Sequence, residues 1–210
     1  MKLLVLGATG KTGQLVLSAA RRAGHEVTVL VRDPARLPST DGLTVVTGNA
    51  TSESDLGRAL AGQDAVLGVV GGGYSVTSDV ASGVAKALVP AATAAKTKRV
   101  VVLSALGAGE SREKCSPLQK IAFGTVMNAV YNDKATGDAL LRASDLDYTI
   151  VQPVTFSEKP AGGKVQLTDL ADLKPVRGFP KVPRADVAEA LVAIAGGTEW
   201  SRTTVAVTPA

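Results

Sequence analysis

The chain has one cysteine and one histidine in 210 residues, and aromatic residues make up only 3% of it. A lone cysteine, Cys115, excludes an internal disulfide. With only His25 to join it, a Cys/His zinc site is excluded as well, and no metal site is expected. So few rings mean that the core is built from Val, Leu and Ala. No apolar run approaches the roughly 20 residues that span a bilayer, so no membrane segment is expected. Met1-Lys2 runs straight into apolar residues, without the successive regions of a signal peptide, and a cytoplasmic location is expected. No Lys/Arg run exceeds two residues. The net charge of +4 therefore reads as a scattered, solvated surface that suits an anionic cofactor or substrate, and no nucleic-acid partner is expected. Paired carboxylates are missing from the ends of the apolar segments, which argues against hydrolysis by an acid/base pair.

What is present is a globular composition, 45% hydrophobic and 20% charged, long enough for a single domain over 1–210 with a substantial core. The most informative segment is Leu3-Leu4-Val5-Leu6-Gly7-Ala8-Thr9-Gly10-Lys11-Thr12-Gly13. A short apolar run reads as a buried strand. It breaks into three glycines, and a helical pattern with Leu15, Val16, Ala19, Ala20 and Ala23 follows. This strand–turn–helix opens a dinucleotide-binding fold. Gly7 makes the tight turn, Gly10 lets the backbone approach a pyrophosphate, and Gly13 lets the helix sit close to the strand. The N–H groups of the turn and first helical residues, Gly7 to Gly13 with Thr9, Lys11 and Thr12 among them, are candidate phosphate ligands.

Strand and helix signals alternate beyond this point. Strands are expected at 26–31, 43–47, 64–70, 99–103 and 148–151, with helices near 54–60, 76–95 and 118–142 and a polar loop over 105–117. Continuous apolar strands between helices indicate a doubly wound, Rossmann-type α/β fold with a parallel sheet covered on both faces. The last quarter carries an alternating strand at 164–167, a helix near 184–195 and a closing strand at 203–207. Residues 154–183 and the C-terminal segment are expected to contribute a small substrate lobe over the carboxyl end of the sheet.

Several residues at the strand ends are candidates for chemistry. Arg32 ends the second strand and Arg36 lies about one helical turn further on, an arrangement suited to a 2′-phosphate and hence to NADP(H) over NAD(H). Asp33 between them is the residue that could instead serve a ribose 2′-OH. Asn49 is either an adenine contact or a turn residue. Gly71 and Gly72 let backbone lie against a cofactor or simply form a turn. Ser104 either hydrogen-bonds a substrate carbonyl or the nicotinamide of the cofactor, or merely caps its turn. Tyr131 and Lys134 are three apart, whereas the proton-donating Tyr/Lys pair of short-chain dehydrogenases needs four. His25 reads as a solvated loop residue on the wrong edge for catalysis.

Gly7-Ala8-Thr9-Gly10-Lys11-Thr12-Gly13, Val27 to Asp33, Gly62-Gln63-Asp64-Ala65-Val66 and Arg184-Ala185-Asp186-Val187-Ala188 resemble the atypical short-chain dehydrogenases with an NAD(P)H-binding domain. Within these the chain is similar to the small NADPH-dependent flavin and biliverdin reductases. The resemblance implies direct hydride transfer from NADPH to a flavin, biliverdin-like or other flat small-molecule acceptor, by a monomer or small homo-oligomer. It also implies that Ser104 is the active-site serine, that Lys134 stands near the site, and that Pro153 lies beside the nicotinamide. The chain departs from the family in 105–117 and 154–182. Two alternatives stay open, a non-catalytic NADP(H) sensor of the NmrA type and an epimerase-like sugar-nucleotide enzyme.

Overall fold

The computed structural model describes residues 1–71, 79–97, 99–124, 127–162 and 164–210. Gly72, one of the candidate cofactor contacts, lies outside the described residues. The elements run β1 (Lys2–Leu6), α1 (Lys11–Arg22), β2 (Glu26–Val31), β3 (Leu43–Thr47), α2 (Glu53–Leu60), β4 (Ala65–Gly68), α3 (Val80–Ala95) and β5 (Arg99–Leu103). Then come α4 (Pro117–Gly124), α5 (Asn128–Arg142), β6 (Asp147–Pro153), β7 (Thr155–Ser157), β8 (Val165–Asp169), β9 (Lys181–Pro183), α6 (Arg184–Gly196) and β10 (Thr203–Pro209).

Eight strands form one sheet in the order β3-β2-β1-β4-β5-β6-β10-β8, all parallel except the antiparallel edge strand β8. The order reverses between β1 and β4, which are paired through Leu3↔Ala65 to Leu6↔Gly68. Side chains alternate between two cores, as a sheet buried on both faces requires. Leu3 and Val5 pack with Val16, Leu17 and Ala20 of α1 and with Val187, Leu191 and Ile194 of α6. Leu4 and Leu6 pack on the other face with Leu56 and Leu60 of α2, Val84 and Leu88 of α3, and Leu141 of α5. Arg99 is buried where β5 meets the end of α6, and donates to the Ile194 carbonyl at 2.7 Å and to Asp147 Oδ1 at 3.1 Å. The Ile194 carbonyl, in the last turn of α6, also accepts from Gly197 N–H at 3.3 Å, and Arg99 adds a cation at the negative end of the helix dipole.

The structure refines the sequence reading in three places. The helix expected over 118–142 is two helices, α4 and α5. The helical period runs through both, but α5 packs on α3, whereas Leu118 and Ile121 of α4 face solvent at 63% and 66% exposure. The loop at 105–117 contains a 3₁₀ helix at Gly109–Lys114, seated over buried Leu106, Ala108 and Cys115. Of the last quarter, β8 and β10 extend the main sheet and α6 completes a helical layer. The short parallel ladder of β7 and β9 stands apart from the sheet.

Candidate active site at the strand-order reversal

At the carboxyl ends of β1 to β4 the chain turns four times around one groove of about 480 Å³. Its walls include Gly7, Thr9 and Gly10 after β1, Arg32 and Arg36 after β2, Asn49 after β3 and Gly71 after β4. The glycines do separate work. Gly7 has φ +84°, and a Cβ there would lie 2.7 Å from the Val69 carbonyl oxygen. At Gly13 a Cβ would fall 2.1 Å from the Gly7 oxygen, so α1 rests directly on the turn. Gly10 differs: a Cβ there meets only Gly7 O, at 3.4 Å, and would occupy the groove. Gly10 begins α1 with no side-chain cap, and no acidic residue stands in the first turn. The helix therefore presents uncapped N–H groups and the positive end of its dipole to the groove, the fit that a diphosphate needs.

Lys11, Thr12 and Gly13 belong to that first turn but not to the groove lining. Thr12 Oγ1 accepts from Arg184 Nη1 at 3.0 Å, and Arg184 Nη2 donates to Glu158 Oε1 at 2.9 Å. Lys11 Nζ lies 3.9 Å from the same carboxylate, and the Arg184 hydrogen bond holds Glu158 below the usual carboxylate range. Asp33 Oδ1 accepts from the Ala35 N–H at 3.0 Å and so caps the 3₁₀ turn at Pro34–Arg36 that carries Arg36. Asn49 lines the groove and is a turn residue, its Oδ1 accepting from Thr51 N–H at 3.1 Å. His25 sits at the amino end of the sheet, where burial lowers its pKa.

Ser104 and Lys134 line a second, smaller cavity of about 40 Å³ between α3, α5, β4 and β5. Val70 and Val84 line both it and the groove, so the two adjoin. Ser104 follows β5, is 5% exposed, and donates from Oγ to Asp138 Oδ2 at 2.7 Å. The same oxygen accepts from Gln152 Nε2 at 3.0 Å. Lys134 Nζ donates to the Leu103 carbonyl at 3.2 Å. Burial pushes the Asp138 carboxyl above the ordinary carboxylate range, against the opposing pull of Ser104, Gln152, Lys134 and Arg142. Burial likewise lowers Lys134, with Asp138 and Asp133 opposing. The part played by Asp133 is structural. Its oxygens accept from the N–H groups of Ala81 and Ser82, both at 2.9 Å, and so cap α3 from across the helix pair. Pro153 ends β6, where its carbonyl accepts from Leu106 N–H at 3.0 Å, and it lines neither space.

Asp138, Gln152 and Arg184 are absent from the candidates that sequence reasoning supplies. Asp138 stands one helical turn after Lys134, a spacing that puts both on one face. Gln152 is a fully buried polar residue following the apolar Ile150-Val151 of β6. Tyr131 is buried, with its ring stacked on Phe123 at 4.7 Å. Val130 occupies the position four before Lys134. Among the described residues no three His, Cys, Asp or Glu side chains gather as metal ligands, and no helix is long and apolar enough to cross a membrane.

A glycine turn leading into an uncapped helix, set where the strand order reverses, defines a dinucleotide-binding protein of the Rossmann type. A family model described as NAD(P)H-binding matches residues 7–197, and the chain belongs to that family, as an atypical short-chain dehydrogenase/reductase. A Bacillus subtilis (strain 168) protein named as the uncharacterized sugar epimerase YhfK is 31% identical over 202 residues, 92% of this chain and 87% of that one. The structure of ChuY from Escherichia coli O157:H7, described as an anaerobillin reductase, superposes with a TM-score of 0.82 at 25% identity, covering 100% of this chain and 97% of that one. The oxidoreductase ylbE from Lactococcus lactis shares the fold, with a TM-score of 0.85 at 22% identity over 100% of this chain and 91% of its own.

Proposed function

We propose that the protein is an NADPH-dependent reductase that passes hydride to a flat conjugated acceptor such as a flavin or a linear tetrapyrrole. The observation that carries this reading is the state of the hydroxyl groups. Tyr131 is closed into an aromatic stack, and no tyrosine stands at the spacing from Lys134 that an alcohol dehydrogenase or epimerase uses for proton transfer. Reduction of a conjugated acceptor depends on stacking and orientation more than on a strong side-chain acid. The name of the ChuY relative is in keeping with this chemistry; that of the YhfK relative points toward epimerisation, which the missing pair disfavours.

In this reading N–H groups of the turn and first helical residues between Gly7 and Gly13 hold the diphosphate, apart from that of Gly10, which donates to the Gly7 carbonyl at 3.0 Å, while Arg32 and Arg36 neutralise the 2′-phosphate. Asn49 and Gly71 border the cofactor, and Ser104 and Lys134 stand toward the reacting end with Pro153 beyond them. Bound NADPH supplies the hydride. Val70, Val84 and Leu103 give the Ser104 end an apolar wall.

Loss of reduced-nicotinamide absorbance with FMN, biliverdin and quinones tests the proposal. Turnover with one of these acceptors is expected. Tight NADPH binding with no turnover of any acceptor would replace it with the NADP(H)-sensor reading.

A further inference from the structure

Ser104, Asp138 and Gln152 come from three separate elements, the end of β5, α5 and β6, and their polar atoms converge on one oxygen. Asp138 Oδ2 receives Ser104 Oγ at 2.7 Å and Gln152 Nε2 at 3.0 Å. Gln152 Oε1 is buried and has no hydrogen-bond partner. Gln152 Oε1 is thus an open acceptor in the cluster, and Asp138 itself is 4% exposed, so its carboxyl meets these partners away from bulk water. Buried polar groups are normally satisfied, so an acceptor left open beside Ser104 and Asp138 calls for an explanation. The groups that face Asp138 are few. Lys134 and Arg142 stand on its own helix, Gln152 on β6 and Ser104 after β5, while α3 contributes only Ala81, Val84, Ala85 and Leu88 to the cavity.

We propose that Asp138 is the proton reservoir of this site and Ser104 its outlet. This rests on the reductase reading. When Asp138 is protonated the 2.7 Å bond reverses, Asp138 Oδ2–H donating to Ser104 Oγ and freeing the serine hydroxyl for the acceptor; as the acceptor takes hydride, the Ser104 O–H bond breaks and a new N–H or O–H bond forms on the acceptor. The Asp138 O–H bond breaks in turn and restores the Ser104 hydroxyl. The acceptor has then gained a hydride and a proton, and the nicotinamide is oxidised. Asp138 is left as a carboxylate, held by the Ser104 hydroxyl and the Gln152 amide and facing Lys134, until solvent returns the proton. Asp138 does not touch the acceptor; it positions and recharges Ser104. Its raised proton affinity keeps the reservoir filled at higher pH than an exposed carboxylate would.

The test uses the full chain as wild type, Ser104→Ala, Asp138→Asn and the double variant. Carbon NMR of the aspartate carboxyls, without cofactor or acceptor, follows the resonance that Asp138→Asn removes. It is expected to titrate above the exposed aspartates, and Ser104→Ala is expected to raise it further, since a donor to the ionised form is lost. With NADPH and FMN, wild-type turnover is expected to fall as pH rises through that midpoint, and the Asp138→Asn profile to be flat. Each single variant should lose up to about tenfold on the acid side, and the double variant no more than either. NADPH affinity should not change. Titration of Asp138 with the exposed aspartates, losses that multiply, or a pH profile that survives Asp138→Asn would each overturn the relay alone. No turnover of FMN or biliverdin by the wild type would overturn the reductase reading and the relay with it.

Discussion

Over β1 to β3 the carboxyl edge of the sheet offers backbone N–H groups, two arginine heads and the side chains of Thr9 and Asn49, arranged around a groove of about 480 Å³. Over β5 and β6 they are side chains, paired with one another beside a cavity of about 40 Å³. The first region is made of short consecutive segments whose shape follows from which residues lack a side chain. The second is made of partners far apart in the chain: Ser104 and Asp138 are 34 residues apart, and Asp133 is 52 from Ala81. A site for a common cofactor can be a local motif. A site for a particular acceptor draws on the packed interior, and its electrostatics belong to burial rather than to spacing.

The sharpest test of the contrast lies within the glycine turn. Gly13→Val would force a side chain into backbone 2.1 Å away and is expected to cost about 3 kcal/mol or more, read by urea denaturation. Gly10→Val meets only one atom, at 3.4 Å, and should melt near wild type yet give no detectable NADPH binding in a calorimetric titration. Unchanged NADPH affinity in the folded Gly10 variant would remove the groove from the cofactor assignment. Next in size, Arg32→Ala should weaken NADPH by about tenfold or more while leaving NADH nearly unchanged, as one charge-assisted phosphate contact contributes roughly 1.5–3 kcal/mol. Equal affinity of the wild type for the two cofactors would end the NADP preference.

On the buried side, Asp133→Ala removes the acceptor for two N–H groups of α3 and should cost about 2 kcal/mol in chemical denaturation, with cofactor affinity unaltered. The smallest effect is expected of Tyr131→Phe, which keeps the stack on Phe123 and should leave FMN turnover close to wild type. A loss of several orders of magnitude would place a tyrosine proton donor in the mechanism.

Sequence periodicity locates most of the strands because each carries a short run rich in Val, Leu and Thr between turn or charged residues. It runs α4 and α5 together because a helical period does not report a change of packing partner. The glycine turn, Arg32, Arg36 and Asn49 are legible in the same way, as residues beside their own strand ends. Asp138 is not, since an acidic residue on a helix ordinarily faces water, and only its burial against Ser104 and Gln152 gives it another character. The motif alone points Lys11 and Thr12 toward the phosphates. Their contacts with Glu158 and Arg184 depend on segments nearly the whole chain away.

That last separation has a consequence for synthesis. The helix that opens the chain packs against the helix that nearly closes it: Val16, Leu17 and Ala20 share a core with Val187, Leu191 and Ile194, and Arg184 reaches Thr12 across 172 residues. On the ribosome, α1 therefore stays uncovered on one flank while the segments between it and α6 are made, and the helical layer over the first core closes only when α6 emerges. Contacts of such sequence separation slow folding and lengthen the exposure of apolar surface. A nascent chain stalled before residue 184 would carry a complete glycine turn on a helix that still lacks its neighbour, and would be a natural client for chaperones.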